Sequence, residues 1–109
     1  MSIVHVYGGP VSASTVEELA YYDFDYILAY GLAGGLGTKN LRMGDFYLVD
    51  RALVADGTTP HYTKDPIIAS DRFLKAKILE LAQETDLKTI SPVQANTDDA
   101  IYREDDKFL

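Results

Sequence analysis

The stretch Tyr26 to Gly37, YILAYGLAGGLG, is the strongest constraint on how this chain can fold. An apolar run, Tyr26-Ile27-Leu28-Ala29-Tyr30, leads into a loop holding Gly31, Gly34, Gly35 and Gly37. A short apolar run bounded by glycine reads as a buried strand, because a strand covered on both faces shows no polar alternation. Glycine lets the backbone take positive φ and lets a ligand come close to the main chain. Open α/β sheets bind ligands just beyond the carboxyl ends of their strands, so a glycine loop in that place is a candidate cradle. A tight turn without a ligand satisfies the same pattern, and the local sequence leaves both readings open.

Upstream, Ile3 to Tyr7 (IVHVY) is rich in β-branched and aromatic residues and reads as a strand ended by Gly8-Gly9-Pro10. A helix is expected from Ser12 or Ser14. Ser14 and Glu17 have the spacing of a capping box, and Val16, Leu19 and Ala20 form an apolar stripe. With Asp23-Phe24-Asp25 as a link, strand, helix and strand form a βαβ unit whose two strands should be parallel.

Downstream, Leu41 to Asp45 reads as a turn and Phe46 to Asp50 as a strand that can continue to Val54. Asp56-Gly57-Thr58-Thr59-Pro60 is turn chemistry, and the loop continues through His61 to Pro66. Irregular segments of that length in a small domain are often functional. A second helix starts at a Ser70 or Asp71 cap and carries Leu74, Ile78, Leu81 and Ala82 on one face. Asp71 and Lys75 are spaced for an i, i+4 ion pair. Lys88 to Ala95 reads as a last strand, and Pro92 within it requires an edge position or a bulge.

The 109 residues make one domain, residues 1–109, with 47% hydrophobic and 25% charged side chains. A net charge of −7, from 10 basic and 17 acidic residues, argues against a broad nucleic-acid surface. A small anion remains compatible, since a few backbone N–H groups can hold phosphate on an acidic protein. There is no cysteine, so no disulfide or thiolate metal site can form. The N-terminus lacks the features of a signal peptide, and no apolar run approaches the ~20 residues of a membrane span. The expected location is cytoplasmic, without membrane contact.

The glycine loop is neither a P-loop nor a dinucleotide fingerprint, since Gly31, Gly34 and Gly35 fit neither spacing. His5 is read as a core or face histidine of its strand. His61, in a loop beside Tyr62, is read as a surface or interface residue, and two isolated histidines do not make a metal site. The acidic tail after Asn96 is read as a solvated terminus. The eight tyrosines suit a core, or stacking on an aromatic ligand or partner.

Taken in order, the motifs resemble one family. They are Gly8-Gly9-Pro10-Val11-Ser12-Ala13, Val16-Glu17-Glu18-Leu19, Gly31-Leu32-Ala33-Gly34-Gly35-Leu36, Arg42-Met43-Gly44-Asp45, Arg51-Ala52-Leu53, Asp56 to Tyr62, and Thr97 to Glu104. Each is weak alone. The ordered set resembles the central part of the nucleoside phosphorylase superfamily, the uridine and purine nucleoside phosphorylases.

The resemblance implies an α/β fold of three layers, α/β/α, with a mixed and mainly parallel sheet. It implies phosphate-dependent cleavage of a nucleoside to free base and pentose 1-phosphate, in nucleoside salvage. No metal or organic cofactor is implied, phosphate being a co-substrate. The implied partners are nucleoside or base and phosphate, in a homo-oligomer whose neighbouring subunits complete each site. Carried over by position, Gly31, Leu32, Ala33 and Gly34 would lie against phosphate, ribose and base. Ile101 would face the base, with Tyr102 after it and Arg103 and Thr97 nearby.

The departures are specific. The family has arginine two residues before the first loop glycine, where this chain has Ala29, and serine or threonine just after it, where this chain has Leu32. Each lost charge-assisted hydrogen bond is worth ~1.5–3 kcal/mol, so phosphate binding should fall at least about a hundredfold. The family's earlier phosphate-binding strand and later ribose-binding segment have no counterpart between Met1 and Leu109, so the chain is expected to be a truncated middle piece. Three alternatives accompany impaired phosphorolysis: a noncatalytic nucleoside-binding fragment, an oligomerising fragment, and a nucleoside hydrolase.

Overall fold

The central strand, β1 (Phe46–Leu53), forms where aromatic and aliphatic residues follow a turn closed by the Asp45 N–H donating to the Arg42 carbonyl at 3.3 Å. The computed structural model describes residues 1–36 and 41–99. Two further strands flank β1: β2 (Ile67–Ala69) pairs antiparallel, Arg51 opposite Ala69, and β3 (Thr89–Asn96) pairs parallel, Phe46 opposite Thr89 and Leu53 opposite Asn96. The sheet is therefore mixed, in the order β2-β1-β3, and the fold is α/β.

Pro92 lies where the sequence requires it. The strand holding it, β3, is an edge strand, and its register against β1 shifts between the Tyr47–Ile90 and Val49–Val93 pairs. A residue without an N–H is accommodated there because the ladder is already interrupted. The short β2 is not anticipated from sequence, since three residues carry too little periodicity to separate from a loop.

The first helix, α1 (Gly9–Leu19), begins three to five residues before the expected Ser12 or Ser14 start. Gly8 is its N-cap at φ 89°, a conformation that side-chain-bearing residues rarely adopt, and Pro10 occupies the first turn, where no N–H is needed. The Ser14–Glu17 capping box does not form. The Ser14 hydroxyl donates to the Pro10 carbonyl at 3.2 Å, and Ser12 and Thr15 bond back to Gly8 and Val11 at 2.8 Å. Inside a helix those hydroxyls have a carbonyl four residues back within reach and no cap to make.

The second helix, α2 (Arg72–Glu84), is capped as expected by Asp71, whose carboxylate accepts from the Leu74 N–H at 2.8 Å. At its end Asp86 sits in the left-handed region at φ 56° and the Leu87 N–H returns to the Ala82 carbonyl at 2.9 Å, closing the last turn. The expected Asp71–Lys75 ion pair is replaced. Asp71 serves the helix N-terminus, and Lys75 donates to Asp50 on β1.

The expected strands at residues 3–7 and 26–30 are not strands, so the βαβ unit at the N-terminus does not form. Strand propensity reports fit to a pleated, half-buried surface, and neither segment has a ladder partner among the described residues. Ile3, Tyr7 and Tyr30 are consequently exposed, as is His5. Ala82 of α2, at 7% exposure, is the one buried residue among those described. The radius of gyration, 15.0 Å, exceeds the ~13 Å of an ordinary packed domain of about 100 residues, so much apolar surface stays open. Among the described residues no helix is long and apolar enough to cross a membrane.

Candidate functional site

A cleft of about 1050 Å³ opens between α1 and the carboxyl ends of β1 and β3. The two strands are parallel, so both end at the same edge, where α/β sheets bind ligands. Gly8, Gly9, Ser12, Val16 and Glu17 form one wall. Asp56, Thr58, Thr59 and Tyr62 form the other, and Leu53, Ile68 and Ala95 make an apolar floor. Asn96 and Thr97 stand at the end of β3.

The second wall is stiffened by one carboxylate. Asp56 Oδ2 accepts from the Thr58 N–H at 3.1 Å, the Thr59 N–H at 2.8 Å and the Thr59 hydroxyl at 2.9 Å. Partial burial alone would raise the Asp56 pKa, but these bonds outweigh it and hold the group below the usual carboxylate range. The single 3₁₀ turn that follows (Thr59–His61) carries Tyr62 at its end, with the Tyr62 N–H donating to the Thr59 carbonyl at 2.9 Å. Gly57 donates its N–H to Asp99 Oδ2 at 2.6 Å, which ties this loop to the chain beyond β3.

The walls meet across the cleft at one point. The Tyr62 hydroxyl donates to Glu17 Oε2 at 2.7 Å, and that bond, reinforced by the negative charge of Glu17, raises the phenol above its ordinary pKa. Glu17 and Asp56 are the charged side chains of the lining, which holds no lysine or arginine among its described residues. The cleft thus offers acceptors, hydroxyls and an apolar floor, a set suited to a polar neutral ligand with a flat or aliphatic face.

The structure places the residues expected from sequence in two groups. Gly31, Leu32, Ala33 and Gly34 are exposed, outside helix and strand, and do not line this cleft; Leu32 is 103% exposed. Ile101, Tyr102 and Arg103 lie outside the described residues. Thr97 does line the cleft, whereas His61 is exposed and does not. From sequence, Gly8-Gly9 reads as a strand end, Glu17 as half of a capping box and the Asp56 to Tyr62 loop as an irregular, often functional segment, and none of them as a ligand-lining residue. The readable signal was the pairing of a Gly-Gly-Pro helix start with an Asp-Gly-Thr-Thr-Pro turn.

Three segments that are 40 or more residues apart, around Gly8, Asp56 and Thr97, therefore converge on one cleft. A family model described as the phosphorylase superfamily matches residues 2–107, nearly the whole chain. The chain belongs to the phosphorylase superfamily. The chain is also similar to an uncharacterized protein of Acanthamoeba polyphaga mimivirus, 32% identical over 102 residues. That match covers 94% of this chain and 38% of the relative, so the chain spans well under half the length of the curated relative it matches. No solved structure matches the chain significantly. Superfamily membership and the small mixed α/β sheet agree with each other.

Proposed function

We propose that this phosphorylase-superfamily chain is nucleoside-phosphorylase-like and binds a nucleoside in the cleft between α1 and the ends of β1 and β3. The observation that carries the reading is the convergence of three family-like motif segments, at Gly8-Gly9, Asp56 to Tyr62 and Thr97, on that cleft. The reaction is phosphorolysis in nucleoside salvage. A phosphate oxygen forms a bond to the anomeric carbon as the carbon–nitrogen bond breaks. The base leaves with the electron pair and takes up a proton, giving free base and pentose 1-phosphate. Fixed hydroxyls and dipoles would stabilise the charge that develops on the sugar.

The phosphate side of that chemistry is weak in this chain. Ala29 and Leu32 stand where the resemblance calls for a guanidinium and a hydroxyl, and the cleft lining holds no cation among its described residues. These residues favour a second reading, a nucleoside-binding or oligomerising fragment with little or no phosphorolysis; a nucleoside hydrolase is the catalytic variant that needs no phosphate clamp. A homo-oligomer and a cytoplasmic setting belong to the same proposal. The exposed Tyr7, Tyr30 and Leu32, and the outer edges of β2 and β3, which pair with no other strand among the described residues, support association.

The test is base release from uridine, inosine and methylthioadenosine, with and without inorganic phosphate. Release that requires phosphate supports the phosphorylase reading. Release without it supports the hydrolase, and binding without release supports the fragment. Neither binding nor release of any of the three would overturn the nucleoside reading. A stable monomer in sedimentation at micromolar concentration would overturn the oligomer.

A further inference from the structure

The two walls of the cleft are held very differently. The loop wall is fixed from within by the three bonds to Asp56, by the turn bonds of residues 58–63, and by Gly57 on Asp99. Among the described residues, the backbone bonds of the α1 wall are those of its own helix and the turn after it. Tyr62 and Glu17 are 45 residues apart in sequence and join these walls directly.

We propose that the Tyr62–Glu17 hydrogen bond is a clasp that sets the opening of the cleft, with α1 as the moving wall. A helix whose described backbone bonds stay within itself and the turn after it can rock on its N-terminal glycines, and Gly8, at φ 89°, offers a pivot at that end. The bond at Glu17 lies two turns along, where a small rotation about Gly8 changes the wall separation more than it does at the glycines. When the clasp is made, the walls are held at the separation that gives the cleft its volume of about 1050 Å³. When it breaks, α1 swings away and a larger ligand enters. The clasp therefore acts on ligand size, and this part of the inference rests on the reading of the cleft as a ligand site. The clasp itself does not.

Hydrogen–deuterium exchange resolved by peptide tests the two parts separately. Tyr62→Phe keeps the ring and removes the donor, Glu17→Gln keeps an acceptor, and Tyr21→Phe, an exposed tyrosine outside the cleft, is the control. Amides of α1 in Tyr62→Phe should exchange roughly two- to tenfold faster, the range for losing one hydrogen bond. Amides of α2 should be unchanged, which shows that the fold is intact. Glu17→Gln should fall between wild type and Tyr62→Phe. Equal α1 exchange in wild type and Tyr62→Phe overturns the clasp. Calorimetric binding of inosine and uridine gives the second readout: the ratio of inosine to uridine affinity should rise in Tyr62→Phe, and an unchanged ratio overturns the role in selection. If wild type binds neither nucleoside, the ligand reading fails while the exchange result still decides the clasp.

Discussion

Lys75 of α2 donates its ammonium to Asp50 Oδ1 of β1, and Asp50 also faces Arg51 at 3.7 Å, so one strand carboxylate anchors the second helix to the sheet. The Ser70 N–H and hydroxyl both reach the Asp50 carbonyl, at 2.9 and 3.2 Å, so the same residue also holds the approach to that helix.

Lys75→Met and Asp50→Asn are each expected to lower the thermal midpoint by a few degrees, and the double variant by less than the sum, because both remove one interaction. The hydrogen bond from Lys75, with the charges of Lys75 and Arg51, holds Asp50 below the ordinary carboxylate pKa against a smaller opposing effect of burial. A depressed folded pKa means that the unfolded chain binds the proton more readily. The stability this group adds is thus fully present above the unfolded carboxylate pKa and is lost as pH falls through the folded value. Melting of wild type and Asp50→Asn from neutral pH downward should show the two curves converging in acid. Parallel curves would refute the assignment.

Asp56→Ala removes the acceptor of three bonds and should destabilise the chain by about 1–2 kcal/mol, the upper range for losing a helix-type cap. Asp56→Asn, which retains an acceptor, should cost less. Urea midpoints for the three proteins check the order.

Gly57 and Asp99 approach closely enough to be tested as a pair. A Cβ at Gly57 would lie 3.1 Å from Asp99 Oδ2, the atom that accepts the Gly57 N–H. Gly57→Ala is expected to loosen this bond and lower stability, and to cost measurably less when Asp99 is also alanine. A double-mutant cycle in urea gives the coupling, and strict additivity would show that the contact carries no energy.

Restoring the side chains that the resemblance calls for should restore anion binding. Ala29→Arg with Leu32→Thr is expected to raise affinity for inorganic phosphate at least about a hundredfold, the gain from two charge-assisted hydrogen bonds. Calorimetric titration with phosphate checks this, and no gain would count against the glycine loop as a phosphate site.

Local chemistry was legible wherever a residue acts within a few positions of itself. The Asp71 cap, the turn before β1, β1 itself and the edge placement of Pro92 all follow from short-range rules. Gly8 was legible as the end of an expected strand and as part of a motif; that it is the helix cap, at φ 89°, emerges only in the structure. The apolar segments at residues 3–7 and 26–30 show the opposite case, since a strand exists only with a partner whose position no local pattern encodes.

By itself, the sequence determined superfamily membership, the α/β class and, among the described residues, both helices and two of the three strands, because periodicity, caps and ordered motifs are written in neighbouring residues. Only the tertiary structure decided that Lys75 serves Asp50 rather than Asp71, that Tyr62 reaches Glu17, and that Gly8, Asp56 and Thr97 share one cleft. Those pairings depend on how strands and helices are laid against one another. A side chain with several partners in reach takes the one that packing brings nearest.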